Sequence, residues 1–198
     1  MLLYAVIILI CMALISAANI VLALPASSLG ALGVIGIVTL STVAVIALDG
    51  VVAFAVRRLP ERWFRQGRPA FSVSRRECRL WRALGVRVWK DRIPELGQFT
   101  NFRKNKVYEP QNNEYIARFI LECNYGVVIH FLNALLGPLI IFICPLDYAL
   151  GVTLPVAAVN FVLSLLPLFA LRYNTPKLEA LYKINARREK KEKQGNKA

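Results

Sequence analysis

His130 is the single histidine of the chain, and it lies in an apolar run that also contains Glu122. An unperturbed imidazole titrates near neutral pH, so His130 is the side chain best suited to proton transfer there. Glu122 precedes it by eight residues. In an α-helix this spacing separates the two side chains by about 80° around the axis and about 12 Å along it. They share a broad face but cannot hydrogen-bond to each other, so a partner for His130 must come from another segment or from a substrate.

Small and polar residues continue this face of the same run, at Gly126, Asn133 and Gly137. An ionisable group at the centre of a membrane costs about 2.5–3.5 kcal/mol on insertion scales, so each one needs a reason. Two interpretations stay open. The stripe could bind and transform a substrate, with Asn133 as a binding residue, or it could serve helix packing and interhelical hydrogen bonds. In the second case Glu122 would pair with Arg118, its neighbour one turn earlier.

Asp49 is the one charged residue of another apolar run, residues 30–56. It lies seven residues before the end of that run, where the first basic segment begins. His130 lies about a dozen residues into its own run, so the two side chains could reach similar depths. We therefore predict Asp49, with Glu122, as a carboxylate that orients His130 or balances its charge.

The elements that must position these residues follow from hydropathy. Hydrophobic residues make up 57% of the 198 residues, against about half in a soluble domain. They are concentrated in four runs, each long enough to cross about 30 Å of hydrocarbon as a helix. We predict an all-α polytopic membrane protein with a single membrane domain over residues 1–198 and spans at about 2–24, 30–56, 119–143 and 151–171.

All 25 basic residues lie in two segments, the loop 57–118 and the tail 172–198. Positive charge marks the cytoplasmic side of a membrane protein. Both termini and the long loop are therefore predicted to be cytoplasmic, in a multi-pass protein of the plasma membrane. The net charge of +13 is confined to segments that flank the spans, so anionic lipids of the inner leaflet are the expected partner, rather than nucleic acid.

The basic segments contain helix signals of their own. Ser74 and Glu77 form a capping box that predicts a basic interfacial helix over Ser74–Trp89, with Trp81 and Leu84 on its apolar side. A polar loop is expected from Pro94 to Pro110. Thr175, followed by Pro176, predicts the start of a separate C-terminal amphipathic helix. Beyond about Arg187 the Lys-rich tail is predicted to be disordered.

Four sequence elements in order resemble the glycosyl-4,4′-diaponeurosporenoate acyltransferase family of small bacterial membrane enzymes. They are Leu59-Pro60-Glu61-Arg62-Trp63-Phe64-Arg65-Gln66, Arg87-Val88-Trp89-Lys90-Asp91-Arg92-Ile93-Pro94, Phe119-Ile120-Leu121-Glu122 with His130 eight residues on, and Leu166-Pro167 followed by Arg172-Tyr173-Asn174-Thr175-Pro176-Lys177-Leu178. The resemblance covers the chain from Leu59 into the tail.

This resemblance implies an enzyme of carotenoid-ester or related glycolipid synthesis, which transfers a fatty acyl group to a hydroxyl of a lipid-linked sugar. His130 would be the general base. Substrate binding would fall to Trp89, Lys90, Arg172, Tyr173 and Asn174. The basic residues among these would hold an anionic donor such as acyl-CoA or acyl carrier protein. No bound cofactor and no metal are expected.

The family motif in the third span has the form Glu-Thr-x-Arg-Ala-Glu-x-x-His, and this chain departs from it. Cys123 replaces the Thr, Tyr125 the Arg, Gly126 the Ala and Val127 the second Glu. The alternative is therefore a non-catalytic relative that binds lipid or a membrane partner. A small four-span lipid methyltransferase is a third interpretation, which no nucleotide-cofactor motif favours.

Overall fold

The computed structural model describes residues 2–22, 30–93, 107–143 and 148–195, and within these ranges the chain is helical without strands. The α-helices of these ranges are α1 (Leu2–Leu22), α2 (Ala31–Arg57), α3 (Arg75–Ala83), α4 (Val86–Trp89), α5 (Asn113–Leu136) and α6 (Leu154–Gly195). Short 3₁₀ segments occupy Glu61–Trp63, Pro69–Phe71, Lys90–Arg92 and Gly137–Ile143, and a π-helical turn occupies Ala149–Thr153. Residues 23–29 and 144–147, which connect the first predicted span to the second and the third to the fourth, lie outside the described residues, as does most of the predicted polar loop (94–106).

Four helical segments are long and apolar enough to cross a membrane: Leu3–Leu22, Ala31–Arg57, Asn113–Phe142 and Ala149–Gly195. The prediction of an all-α protein with four membrane helices is therefore confirmed. The third helix begins six residues earlier than the predicted start at 119. The side-chain oxygen of Asn112 accepts a hydrogen bond from the backbone N–H of Tyr115 at 3.1 Å, and this N-cap fixes the helix start below the apolar run.

The prediction of a separate C-terminal helix from Thr175 is wrong, because α6 runs without interruption through Pro167 and Pro176. Each proline removes one backbone hydrogen bond, at a cost of about 3 kcal/mol. Packing offsets this cost, since Leu171 and Leu178 are both buried in one core cluster on either side of Pro176. Thr175 does not cap a helix start. Its hydroxyl donates to the carbonyl of Leu171 at 3.0 Å.

The prediction of disorder beyond Arg187 is also wrong as far as Gly195, where α6 ends. Lys, Arg, Glu and Gln have high intrinsic helix propensity, so a polar segment that follows a packed helix can continue it. Near this end of α6, the amide of Asn185 donates to the carbonyl of Pro110 at 2.8 Å.

The predicted helix over Ser74–Trp89 is divided into α3 and α4. The hydroxyl of Ser74 caps α3 by accepting the N–H of Glu77 at 3.1 Å, as expected. The break comes at Gly85, whose φ of 61° lies in the left-handed region, a conformation that ends helices and favours glycine. The indole N–H of Trp89 donates to the carbonyl of Leu84 at 3.0 Å and so stabilises the break.

The chain divides into two compact units: unit 1, Met1–Arg57 with Ile129–Leu165, and unit 2, Arg58–Val128 with Leu166–Ala198. The core of unit 1 joins Val45 of α2 to Ile140, Val156 and Ala157. Asn19 of α1 donates to the carbonyl of Gly151 at 2.6 Å. The single membrane domain over 1–198 stays a prediction.

Unit 2 packs the first half of α5 on the second half of α6. Its core cluster consists of Ile116, Phe119, Ile120, Cys123, Leu171 and Leu178. The segment after α2 is fastened to α5 by two side chains of that helix. Asn124 donates to the carbonyl of Phe64 at 2.8 Å, and the hydroxyl of Tyr125 donates to the carbonyl of Leu59 at 3.1 Å.

Candidate active site

Gly137, the first residue of the 3₁₀ segment that continues α5, lets this segment and α6 approach closely in unit 1. A Cβ on Gly137 would lie 2.5 Å from the amide nitrogen of Asn160, so the missing side chain makes room for Asn160. Ile140, one turn after Gly137, lies in a cluster with Val156 and Ala157 of α6. These two residues lie one turn before Asn160. The two helices therefore run antiparallel here, and the stripe faces α6.

His130 lies on this stripe in unit 1. It precedes Gly137 by seven residues, which brings the two positions within about 20° of each other around the helix. The side chain is half-buried. His130 and Gly137 therefore share a face of the helix, and the role of His130 as a base stays a prediction.

Asn133, one turn from His130 on the same face, is 5% exposed, and its amide oxygen has no hydrogen-bond partner among the described residues. The antiparallel register set by Gly137 and Asn160 places Ser164, also buried, opposite Asn133. Buried polar atoms are normally paired, so an orphaned oxygen needs an explanation. This oxygen can accept a hydrogen bond from a hydroxyl group, and the binding role of Asn133 stays a prediction.

Asp49 enters unit 1 from α2. Asn160 donates to its carboxylate at 3.4 Å, a long hydrogen bond. Val45, one turn earlier on α2, lies 3.8 Å from the Cβ position of Gly137. These contacts put Asp49 level with the Asn133–Gly137 turn of α5, within two turns of His130. A direct pairing of Asp49 with His130 stays a prediction.

Glu122 belongs to unit 2 and forms an ion pair there. Its carboxylate lies 3.3 Å from Arg118, its i−4 neighbour, and Arg118 also pairs with Glu61 at 3.1 Å. The Glu122 side chain is 13% exposed. The packing alternative for Glu122 is therefore realised in unit 2, and an additional role toward His130 stays a prediction.

Arg172 of α6 is enclosed by unit 2. Its guanidinium binds both carboxylate oxygens of Glu77 at 2.7 and 2.8 Å and donates to the carbonyls of Phe71 and Ser72 at 3.0 Å each. These contacts use four of its five N–H donors. They connect α6 to the start of α3 and to the turn before it. Arg172 thus has a structural task, and its predicted binding of the acyl donor stays a prediction.

The other predicted binding residues of unit 2 also have contacts within the protein. The ring of Tyr173 lies under the ammonium group of Lys177, 4.7 Å from the ring centroid. Lys90 pairs with the adjacent Asp91. The indole N–H of Trp89 is used at the α3–α4 break. Asn174 is half-buried on α6. These residues occupy polar positions that suit an anionic donor, and such a role stays a prediction.

Sequence reasoning missed Asn160, Ser164 and Tyr4. Asn160 and Ser164 are uncharged polar residues in the fourth apolar run, and Tyr4 is the one phenol of the first. The signal that could have found them is the period of the helix: Asn160 and Ser164 are four residues apart and so share one face. Charge alone does not reveal them, because neither side chain ionises.

Among the described residues, no group of three His, Cys, Asp or Glu side chains is placed to hold a metal ion. The imidazole of His130 and the amide oxygen of Asn133 lie one turn apart on α5, and the carboxylate of Asp49 on α2 lies within two turns of His130. Together these groups can bind a hydroxyl-bearing molecule and remove a proton from it.

Comparison with known proteins gives one match. The model of the glycosyl-4,4′-diaponeurosporenoate acyltransferase family matches residues 60–184, which is more than half of the chain. No curated protein and no solved structure matches the chain. The matched range includes His130, Asn133, Glu122 and the polar residues of unit 2, whereas Asp49 precedes it.

Proposed function

The chain belongs to the glycosyl-4,4′-diaponeurosporenoate acyltransferase family, and we propose that it transfers a fatty acyl group to a hydroxyl of a lipid-linked or glycosylated lipid, with His130 as general base. Membership of the family supports the acyltransferase role. The observation that carries the finer proposal is the position of His130, on the face that it shares with Gly137 and one turn from the orphaned amide oxygen of Asn133.

The reaction needs a base at one step and an acid at the next. His130 takes the proton of the acceptor hydroxyl as its oxygen attacks the carbonyl carbon of an acyl thioester. The C–S bond then breaks, and the imidazolium returns the proton to the departing thiolate, so the imidazole is regenerated. Asn133 accepts a hydrogen bond through its amide oxygen from another hydroxyl of the acceptor, because the proton of the attacking hydroxyl is directed at His130 in this step.

The transient imidazolium needs a negative charge nearby. Of the two predicted carboxylates, Asp49 shares unit 1 with His130 and lies within two turns of it, as the contacts of Asn160 indicate. Glu122 is about 12 Å away along α5 and pairs with Arg118. Asp49 is therefore the better candidate for balancing the imidazolium charge, and Glu122 is retained as an orienting group.

The donor is assigned to the polar residues of unit 2. Lys90 and Asn174, with the rings of Trp89 and Tyr173, offer charge and hydrogen bonds to an acyl-CoA or an acyl carrier protein, both of which carry phosphate. Arg172, whose other four N–H donors are bound within unit 2, has one N–H left for such a donor. We place the protein in the plasma membrane with both termini in the cytoplasm, where such donors are found. A glycosyl carotenoid is one acceptor of this class, and another glycolipid fits the same chemistry.

One observation favours a second function, that of a non-catalytic membrane protein which binds lipid or a protein partner. Val127 stands where the family motif has its second Glu, and it packs against the apolar core of unit 2 that includes Leu171. The position of that carboxylate is thus filled by a core residue. If the missing Glu is required for transfer, this chain would bind without reacting.

The test begins with mass spectrometry of lipids from cells with and without the gene, which identifies the acceptor and the acyl chain. Transfer rates are then measured in membranes that carry His130→Gln, His130→Ala or Phe131→Leu. Removal of a positioned base lowers the rate by about 10²–10⁴. Both His130 variants should show this loss. Phe131, which is exposed on the neighbouring face, serves as the control and should keep its activity.

His130→Gln retains hydrogen bonding but cannot shuttle a proton. An active His130→Gln protein at normal expression would refute the role of base. Identical lipid profiles with and without the gene would favour the non-catalytic function.

A further inference from the structure

The end of α6 that follows the last apolar run presents a row of exposed cations. Residues 183–193 contain six basic side chains and two acidic ones. Lys183, Arg187 and Lys191 follow one another at intervals of four residues. Together with Lys190 they lie within about 100° of one another around the helix. All four are exposed, and none forms an ion pair with a described residue. We call these four residues the basic stripe.

The opposite side of α6 holds the helix against the rest of unit 2. Asn185 is 7% exposed and donates to the carbonyl of Pro110. The hydroxyl of Tyr182 accepts a hydrogen bond from the amide of Gln66 at 3.1 Å. Asn185 lies about 160° and Tyr182 about 140° from Arg187 around the helix. The basic stripe therefore points away from the packed part of unit 2 and is free to contact another molecule.

The continuity of α6 separates the basic stripe from the membrane. The helix runs unbroken into the tail, and its apolar run ends at Leu171. Lys183 lies about 18 Å and Lys191 about 30 Å beyond that residue along the axis. The tail follows the start of α5 and does not turn back, since Leu178 shares a core cluster with Ile116. Salt screens exposed charges beyond about 8 Å, so the basic stripe is too far from the lipid head groups to bind them.

A soluble partner with an acidic surface fits this arrangement. Opposite charges across an interface speed association and select the partner. The basic stripe extends over about 12 Å of helix, so its complement is a row of carboxylates. Acyl carrier protein is small and acidic and carries its acyl chain on a phosphopantetheine arm, whereas acyl-CoA offers only its phosphates. The donor residues Tyr173 and Asn174 precede Arg187 by about 20 Å along α6, a distance that an extended arm bridges.

We propose that the basic stripe docks an acyl carrier protein and that this protein is the acyl donor. The inference rests on the proposed acyl transfer, because it selects one of the two donors considered there. The arm passes along α6 to the donor residues of unit 2, and the thiolate that leaves in the transfer is the thiolate of the arm. Residues 185–198 follow the family match at 60–184, so the match does not include most of the basic stripe.

Direct binding tests the docking without requiring turnover. The protein is reconstituted in phosphatidylcholine nanodiscs, and the Kd for fluorescent bacterial palmitoyl-acyl carrier protein is measured by anisotropy. The variant Lys183→Glu/Arg187→Glu/Lys191→Glu reverses three charges of the basic stripe. We expect its Kd to rise on the order of tenfold, because attraction becomes repulsion. The Kd of the unaltered protein should rise with added salt.

The matched control reverses three exposed cations of α3, in Arg75→Glu/Arg76→Glu/Arg79→Glu. It changes the net charge of unit 2 by the same amount, and its Kd should stay within about twofold of the unaltered value because salt screens distant charges. An equal loss in the control would reduce the effect to net charge and overturn docking at the basic stripe. If the first variant does not insert, Arg187→Glu alone decides, with an expected rise in Kd of about threefold.

Anionic lipid is the competing occupant of the basic stripe. The binding measurement is repeated in nanodiscs of which about a third is phosphatidylglycerol. A fluorophore attached through an azido amino acid at position 191 reports contact with a quencher in the lipid head groups. Retained carrier-protein binding without quenching supports the inference. Lost binding together with strong quenching would place the basic stripe on the membrane and overturn it.

Two further measurements separate this inference from the proposed function. Docking does not need the base, so His130→Gln should bind the carrier protein with unchanged Kd while it loses transfer. The stripe variant should show a raised KM for palmitoyl-acyl carrier protein with kcat unchanged. Normal transfer from palmitoyl-CoA, by a protein that does not bind the carrier protein, would overturn the inference and leave the proposed function intact. Active transfer by His130→Gln, with the carrier protein bound at the basic stripe, would overturn the role of base and support the docking.

Discussion

At the residue scale, Arg172 shows how a polar residue of an apparent binding motif can stabilise the fold. Four of its N–H donors are bound within unit 2, and both side chains of its pair with Glu77 are largely buried, at 15% and 21% exposure. A two-point contact of this kind is stronger and more directional than a lone ammonium contact. The charge at position 172 therefore fastens α6 to the capped start of α3.

We predict that Arg172→Ala destabilises the protein by about 2–3 kcal/mol, because it leaves the Glu77 carboxylate without its cation and frees two backbone carbonyls. The measurement is the melting temperature in detergent, followed by transfer kinetics on the protein that remains folded. Lys177→Ala is the matched control. It removes a cation from the same helix whose contact is an exposed cation–π pair, worth about 0.5–1 kcal/mol.

Arg172→Lys refines this prediction. Lysine keeps the charge but cannot reproduce the two-point contact, so it should recover only part of the lost stability. An unchanged melting temperature in Arg172→Ala, together with a raised KM for the donor, would show that the residue binds donor and does not support the fold.

Three departures from the family motif are also understandable at this scale. Tyr125 stacks on Phe64, with ring centroids 4.1 Å apart, and its hydroxyl reaches the carbonyl of Leu59. A Cβ on Gly126 would lie 2.8 Å from the side chain of Leu171. Val127 packs against the core. These residues replace charge and bulk with tight packing, which accounts for their sequence without any catalytic role.

At the element scale, a local cap signal predicts one helix start, at Ser74, and fails at Thr175, through which α6 continues. The cap at Ser74 forms as expected, because it depends on a side chain and a backbone N–H three residues apart. The break at Gly85 follows from the left-handed conformation of that glycine, whereas the continuity of α6 through Pro176 depends on the packing of Leu171 and Leu178. Hydropathy predicts the four membrane helices, since their length and composition suffice. The carboxylate–amide contact of Asp49 with Asn160 joins residues 111 apart and has no local signal.

The orientation of α3 and α4 gives a prediction for these two short helices. Trp81 is buried at 7% exposure and packs on Phe169 with ring centroids 4.7 Å apart, whereas Leu84 and Val88 are 47% and 70% exposed. Trp81 is thus protected by protein, as its place on the apolar side implied. Leu84 and Val88 would be protected only by immersion in the membrane, as expected of an interfacial segment.

Cysteine scanning with a membrane-impermeant maleimide on inverted vesicles distinguishes these cases. We expect low labelling at Leu84→Cys and Val88→Cys in vesicles, and high labelling at both after transfer to a small-micelle detergent. Trp81→Cys should stay low in both. Arg76→Cys, on the polar side of α3, is the control that should label well throughout. Strong labelling of Leu84→Cys and Val88→Cys in vesicles would mean that this segment lies in water.

At the scale of the whole molecule, the distribution of charge predicts the orientation in the membrane. The 25 basic residues lie in segments 57–118 and 172–198 alone, and outside these segments the four long helices are mainly apolar. Moving either segment to the outer face would take nine or more cations across the membrane, against the bias that orients such proteins. A common cytoplasmic side for both segments is the arrangement that avoids this.

We therefore predict that both termini and the loop after α2 are cytoplasmic, which gives an even number of spans. Alkaline phosphatase, active only outside the cytoplasm, would be fused after Gly30, Arg68 and Ala198, and green fluorescent protein at the same points. The Gly30 fusion should give phosphatase activity without fluorescence, and the other two should give fluorescence without phosphatase activity. Phosphatase activity from the Ala198 fusion would place the tail outside. It would also remove the access to cytoplasmic acyl donors on which the assignment of Lys90 and Asn174 depends.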